Sequence, residues 1–477
     1  MAALVLTNTL TGRREPLVPR EPGHVRLYWC GVTVYAPCHV GHARALISAD
    51  VLYRHLRARG LRVTFVRNFT DIDDKIIARA NAEGISAAAL SEREIARFVE
   101  DTAALGCLPP TLEPRATEHI PDMLALIERL VAKDLAYPVA GGSVYFRVRR
   151  FPEYGKLSHR RLDDMEAGEE IDAGKQDRHD FALWKGAKPG EPTWDSPWGP
   201  GRPGWHIECS AMAARYLGQP IDIHGGGSDL VFPHHENEIA QSEGAAGLPF
   251  ASLWVHNGMI TFGAEKMSKS LGNVRGLREV TDEVPGDALR LLFLQTHYRV
   301  PLDFSAGRLD EARRSLERLC EALARADEAG LAAPAPEVDG LLEHPRSDFE
   351  RRVCEAMDTD LNAAQALGYV FDHITDLNRA LDAGDHAEAQ AIRAEIGRVT
   401  AVLGLVTGSP AALLEDIRHR ARRRASLTSE EIEAAIEARA QARQRKDWGE
   451  ADAIRDRLAA QGIVLKDGPG GTSWHAE

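Results

Sequence analysis

The hydrophobic pattern changes character several times along the chain. Val25 to Gly31 is a short apolar run rich in β-formers and predicts a strand. From Gly41 to Arg59 the apolar residues Ala45, Leu46, Ala49, Leu52, Tyr53 and Leu56 recur at helical spacing, and Gly60 stops the helix. "LRVTFVRN" is then a second strand. Strand, helix and strand in so short a span form a βαβ unit, which implies a parallel sheet. Residues 81–135 are rich in Ala, Glu and Leu and read as helical. Residues 137–205 carry Gly, Pro and Trp with short β-like pieces such as "SVYFRV", and read as an insertion. "IDIHG" and "ASLWVHNGMI" are two further apolar strands. Beyond about residue 280 the pattern is almost wholly helical, with breaks at "AGLAAPAPEVDG" and "LVTGSPAA". Thr428, three residues before Glu431, fits a capping box. The last stretch predicts a helix, a strand and a Gly-rich turn. The expected fold class is α/β: a nucleotide-binding, Rossmann-like parallel sheet with an inserted domain, then an all-α bundle and a small C-terminal α+β domain.

Composition narrows the setting. With 477 residues, 44% hydrophobic and 27% charged, the chain is ordinary for a multi-domain globular protein. It has no apolar run long enough to span a membrane and no secretory leader pattern, so no membrane partner is expected. Six cysteines in this length make a poor disulfide framework, so reduced thiols and a cytoplasmic location are expected. The net charge of −13 argues against nucleic acid, but "RHRARRR" at 418–424 is a dense basic run that reads equally as a solvated face or a phosphate contact.

Three strings carry candidate chemistry. "CHVGH" at 38–42 lies where a strand gives way to a helix start, whose unpaired N–H groups favour anions. His39 and His42 share one face of the first turn, and Gly41 lets a planar base approach the backbone; two solvent-exposed histidines are the plainer alternative. "EKMSKSLGN" at 265–273 places Lys266 and Lys269 in a Gly-bounded loop suited to phosphate, or simply to water. Neither a GxxxxGK[ST] loop nor a GxGxxG turn after a strand is present. In "HHENE" His234 and Glu238 are four apart, the spacing that aims two ligands at one metal. Cys30 and Cys209, read as strand or loop ends at one sheet edge, complete a set acceptable to zinc. Buried structural cysteines beside a capped helix are the alternative.

Together these strings resemble a known family. "CHVGH" is similar to the HIGH motif and "KMSKS" to the second signature of class I aminoacyl-tRNA synthetases, with Val40 in place of isoleucine. "YWCGVTVY", "VRNFTDIDDKI", "RPGWHIECSAM", "DIHGGGSDLVFPHHENEIAQ" and "KDWGEADAIRDRL" resemble the cysteinyl-tRNA synthetases, in order, from the N-terminus to the last helix. The resemblance implies that Cys30, Cys209, His234 and Glu238 are zinc ligands. It implies that His39, Gly41 and His42 bind ATP, and that Lys266 and Lys269 stabilise the transferring phosphate. Gly31, Thr33, Thr70, Trp205 and Asp229 would line the cysteine and adenylate pocket; His235 has no implied role. The cofactors would be one Zn²⁺ and the Mg²⁺ of ATP, and the partners L-cysteine, ATP and tRNA(Cys). A zinc ion separates thiol from alcohol better than a hydrophobic pocket, so no editing domain is required.

On the same resemblance, residues 1–135 and 205–275 form the two halves of the catalytic domain and 136–204 its insertion. Residues 276–328 contact the stem, 341–405 form a tRNA-binding bundle, and 410–477 read the anticodon. Arg418, Arg420, Arg422, Arg423 and Arg424 would track phosphates, and Trp448 and Trp474 would stack on bases, although Trp448 fits a small-domain core better. The carboxylates of "TDIDDKI" are expected to be structural or to face substrate. A monomer is expected, as no heptads appear. Two rival readings are a ligase passing cysteine to an amino sugar, which would lack the C-terminal module, and a non-catalytic paralogue, which would have damaged signatures.

Overall fold

The computed structural model describes residues 4–164, 174–263, 265–266, 275–332, 336–424, 429–459, 463–468 and 471–476. Its centre is a four-stranded parallel sheet in the order Ala251–Asn257, Ile221–Gly227, His24–Thr33, Arg62–Thr70. Successive side chains of each strand face opposite sides. Val25, Leu27 and Trp29 of the first strand join one core, with the Val40–Ala58 helix. Tyr28 and Cys30 join the other, with the Trp205–Leu217 and Glu236–Ala246 helices. A sheet covered on both faces explains why its strands read as apolar runs without alternation.

The first strand leads through the Val40–Ala58 helix to its neighbour on one side, while the two later strands add on the other. The side on which successive strands are added therefore switches between the parallel neighbours His24–Thr33 and Ile221–Gly227, where Tyr28 pairs with His224 and Trp29 with Gly225. Ligands in open α/β sheets bind beyond the carboxyl ends of the strands at such a switch.

Between the second and third sheet strands lie the helices Asp74–Glu83, Ala87–Ala104 and Ile120–Ala132. A four-stranded antiparallel sheet follows, made by Ala136–Pro138, Val144–Phe146, Phe181–Gly186 and Gly201–Pro203. The acidic string that precedes the first of these helices is structural. Asp71 accepts from the backbone N and Oγ1 of Thr117 at 2.9 and 2.5 Å, Asp73 caps the Asp74–Glu83 helix, and Asp74 pairs with Lys185 and Arg202 of the antiparallel sheet.

Helices Ala363–Ala383 and His386–Leu403 pack against the long Ala306–Ala326 helix, and Asp348–Asp358 packs on those two. The small C-terminal unit has helices Ser429–Gln444 and Trp448–Ala459 and an antiparallel pair, Ile463–Gly468 with Gly471–Ala476, so the tail contains two strands and not one. Thr428, the expected cap, lies outside the described residues. No helix among the described residues is long and apolar enough to cross a membrane.

Candidate active site and metal centre

At the switch point the carboxyl ends of the strands open into a cavity of about 310 Å³. Cys30, Gly31 and Thr33 line it from the first strand, His39, Gly41 and His42 from the following helix start, and Trp205 and Asp229 from later segments. Gly31 has no room for a side chain: a Cβ there would lie 1.7 Å from the Asn68 carbonyl oxygen. Its N–H donates to Asn68 Oδ1 at 2.9 Å, which pins the strand end against its neighbour. His39 caps the Val40–Ala58 helix with extended backbone, and its ring stacks on His42 with centroids 3.7 Å apart. Thr70, expected in this pocket, is buried beneath it; its hydroxyl donates to Glu208 Oε2 at 2.8 Å. The backbone of Lys266 pairs with Thr261 in a short hairpin. Lys269 lies outside the described residues. A larger cavity, about 900 Å³, lies elsewhere, between the Val40–Ala58 helix and the helical bundle. Its arginines Arg54, Arg57, Arg393 and Arg398 are each paired with a carboxylate, and it holds none of the signature residues.

Against the inner wall of the smaller cavity, Cys30, Cys209, His234 and Glu238 converge. All four are buried, and their donor atoms lie within 4.8 Å of one another. Cys30 Sγ is 3.4 Å from Glu238 Oε1, and His234 Nε2 is 2.9 Å from the same oxygen. Tetrahedral zinc with bonds of about 2.0–2.3 Å separates its ligand atoms by about 3.3–3.8 Å, so this donor set needs only small adjustments to close on the ion. Cys209 is not at a strand or loop end, as the sequence reading had it. It sits in the first turns of the Trp205–Leu217 helix, and its depth comes from that helix packing across the sheet.

The electrostatics suit a cation. Burial favours a neutral Glu238, but His224 and His234 hold its carboxyl well below the usual range. Burial would push the Cys209 thiol up; hydrogen bonds from Cys30 and His234 outweigh it and bring the thiol down to about 6. Burial opposes a charged His234, yet Glu238 and Cys209 hold its pKa up at about 10. Glu238 Oε2 is buried with only a long contact, 3.4 Å, to His224 Nε2, which leaves it short of a well-formed hydrogen bond, as expected of a ligand set.

Of the groups around the cluster, Trp205 is one that the sequence places in the pocket, whereas His206, His224 and Glu208 carried no sequence signal. His206 Nδ1 lies 2.9 Å from His234 Nδ1, on the side of the ring away from the cluster. Trp205 stacks on His234, with centroids 4.4 Å apart, and is 37% exposed at the cavity mouth. His224 forms an alternative set with Cys30, His235 and Glu238, its Nε2 3.6 Å from Cys30 Sγ and 3.4 Å from Glu238 Oε2. His235, which had no expected role, donates or accepts through Nδ1 to His256 Nε2 at 2.7 Å and lies edge-on to His224. The burial of His224 and His235 beneath the sheet edge, which local spacing does not encode, brings these two rings to the cluster. Burial likewise pushes the Glu208 carboxyl well above its usual range.

The basic run behaves differently from a phosphate track. Arg418 pairs with Glu317 and Glu321, Arg420 with Asp416, and Arg422 with Glu415, while Arg423 is exposed. Nothing is described of the Arg424 side chain. Trp474 packs against the core of the C-terminal unit beneath Arg422, whereas Trp448 is 58% exposed, the reverse of the sequence expectation. Trp448 stands at the first turn of its helix, where too little chain surrounds it to cover the ring.

Comparison with known proteins matches this organisation. Residues 16–314 match the family described as tRNA synthetases class I (C) catalytic domain, 352–407 the DALR domain, and 426–474 the cysteinyl-tRNA ligase anticodon binding domain. The chain is 54% identical to the cysteine–tRNA ligase of Geobacter sulfurreducens, covering 99% of both chains. It is 51% identical to that of Chromohalobacter salexigens, over 98% of this chain and 99% of the relative. Among solved structures, Mycobacterium tuberculosis methionyl-tRNA synthetase in complex with methionyl-adenylate superposes with a TM-score of 0.60 at 18% identity, covering 82% of this chain and 93% of that one, a likeness of fold alone. Such identity over nearly the whole length, with all three domain matches in order, makes this chain a member of the cysteine–tRNA ligase family of class I aminoacyl-tRNA synthetases.

Proposed function

We propose that the cavity activates L-cysteine with ATP and Mg²⁺ and passes the cysteinyl group to the 3′ end of tRNA(Cys), with Cys30, Cys209, His234 and Glu238 holding a zinc ion that selects the substrate thiol. The convergence of these four donors at the wall of the signature-lined cavity is the observation that carries the reading. A zinc ion there would supply an open position that takes a thiolate in preference to a neutral alcohol, and so excludes serine without editing. The set with Cys209 and His234 is favoured over the one with His224 and His235, because Trp205, stacked on His234, lines the cavity.

The residues around the cavity then divide the work. Gly31, Thr33 and Asp229 hold the amino acid and adenylate, with Trp205 covering the side chain. Thr70 acts from beneath, by orienting the wall through Glu208. His39 and His42 at the helix start, with Gly41 between them, take the adenosine and phosphates; Lys266 and Lys269 meet the charge that develops as the cysteine carboxylate attacks the α-phosphate in line and diphosphate leaves. A ribose hydroxyl at the tRNA 3′ end attacks the adenylate carbonyl and AMP leaves. Residues 341–405 and 410–477 hold the tRNA, with Trp448 exposed for stacking on an unpaired base. Catalysis of this kind needs no covalent enzyme intermediate.

The test is transfer of labelled cysteine to purified tRNA with ATP and Mg²⁺, with serine as competitor and zinc counted by atomic absorption. Cysteine on the 3′ end, no serine, and one zinc lost in parallel with cysteine affinity on chelation are the expected results. Adenylate formation without charging would refute the tRNA reading; equal use of serine by the zinc-loaded enzyme would refute the metal's role.

A further inference from the structure

We propose that Arg44 is a positioning residue for ATP. It clamps the Gly258–Ile260 wall of the cavity, and through it the start of the lysine signature, onto the helix that bears His39 and His42. The inference rests on the reading of this cavity as the site of ATP-dependent activation.

Arg44 lies two residues beyond His42 and is 1% exposed. Among the described residues no carboxylate pairs with it. Its guanidinium instead donates only to backbone carbonyls: Nη1 to Met259 at 3.0 Å, and Nη2 to Tyr298 at 3.3 Å, to His297 at 3.5 Å and, more closely, to Val300. Taking a charge out of water without a counter-ion is unfavourable unless fixed dipoles replace the lost hydration. Here the four carbonyls supply them, and they come from two chain segments that Arg44 thereby ties together.

Those segments already interlock. Gly258 N donates to the Tyr298 carbonyl at 2.8 Å, and Leu302 N donates to the same Met259 oxygen that Arg44 holds, at 3.0 Å. A Cβ on Gly258 would come within 2.7 Å of Val300 backbone atoms, so no side chain separates the two segments. Gly258, Met259 and Ile260 line the cavity with Gly41, His42 and Ala45. One residue further on, Thr261 pairs with Lys266, the first lysine of the second signature. Arg44 therefore ties the two signatures' supports on the Thr261 side, while on the far side of the lysine signature Val40 N donates to the Arg275 carbonyl at 3.2 Å and Leu277 N to that of Cys38 at 2.9 Å. A planar fork can reach several carbonyls at once; a lysine ammonium on a flexible stem cannot.

The test uses Arg44→Lys and Arg44→Gln in the full-length chain, with KM for ATP and for cysteine measured separately by cysteine-dependent pyrophosphate exchange, and zinc content and circular dichroism as controls. Losing hydrogen bonds to a charged group should raise the ATP KM about tenfold or more in Arg44→Gln and less in Arg44→Lys, with the cysteine KM and zinc content within about twofold of wild type. The proposal is overturned if both KM values move together. It is overturned if only the melting temperature falls, or if neither variant folds, since Arg44 would then be a stability element alone. A wild-type chain without cysteine-dependent exchange would instead bring down the activation reading on which the inference rests.

Discussion

Replacing His206 with phenylalanine isolates how the candidate metal centre is held. His206 Nδ1 stands 2.9 Å from His234 Nδ1, and burial, with the neighbouring His234, keeps the His206 ring neutral, its pKa well below the usual value. A neutral His206 accepts the His234 Nδ1–H, which leaves Nε2 of His234 facing Glu238 at 2.9 Å. Once a metal displaces the Nε2 proton, that bond would keep His234 as the Nδ1–H tautomer, which a metal ligand requires. Phenylalanine preserves the ring and its edge contact with Phe181, centroids 5.7 Å apart, and removes only the acceptor. Loss of such an outer partner typically weakens metal binding by about 10–100-fold, or roughly 1.4–2.7 kcal/mol. The assay is competition for zinc between the metal-free protein and a chromogenic chelator. His206→Asn, whose amide oxygen can stand near the lost nitrogen, should recover most of the affinity. Affinity within about twofold of wild type in His206→Phe, or equal losses in the two variants, would refute the argument.

Three other outcomes follow from the structure. Asp50 is buried and accepts from Arg54 at 2.8 Å and Arg290 at 2.7 Å, so Asp50→Asn leaves two guanidiniums short of charge and should destabilise the chain by about 3–5 kcal/mol in urea unfolding; a loss under about 1 kcal/mol would contradict this. Trp448→Ala should raise the KM for tRNA by about 5–100-fold, the value of one stacked base, while cysteine-dependent pyrophosphate exchange stays unchanged. Burial holds the His256 pKa down at about 3, against 6.5 for an exposed ring. The folded state thus binds fewer protons than the unfolded chain, so this contribution to stability is complete above pH 6.5 and is lost as pH falls from there toward 3. His256→Gln should lose less stability between pH 7 and pH 5 than wild type, read from unfolding midpoints at each pH; equal slopes would sink the assignment.

Much of this protein could be read from its order of residues. Apolar runs near Val25, Val63 and Ile221 read as buried parallel strands, because a sheet covered on both faces leaves no polar side to its strands. The spacing in "CHVGH" and "HHENE" marked chemistry because one helical turn brings residues three or four apart onto one face, and the shared strings marked the family. What tertiary structure decided are relations between residues far apart in sequence. Cys209 reaches Cys30 only because its helix crosses the sheet, and Thr70 turns to Glu208 because that same helix supplies a buried carboxyl. His224 comes to Glu238 through burial, and the partly exposed His206 through its contact with His234, neither of which local spacing encodes. The two tryptophans exchanged expectations for the same reason: whether a ring is covered depends on what packs over it, and the small C-terminal unit has enough chain to cover Trp474 but not Trp448. The basic run, dense in sequence, is largely tied up by Glu317 and Glu321 of another helix and by Asp416 and Glu415 of its own, so charge counted along the chain overstated the charge that faces outward.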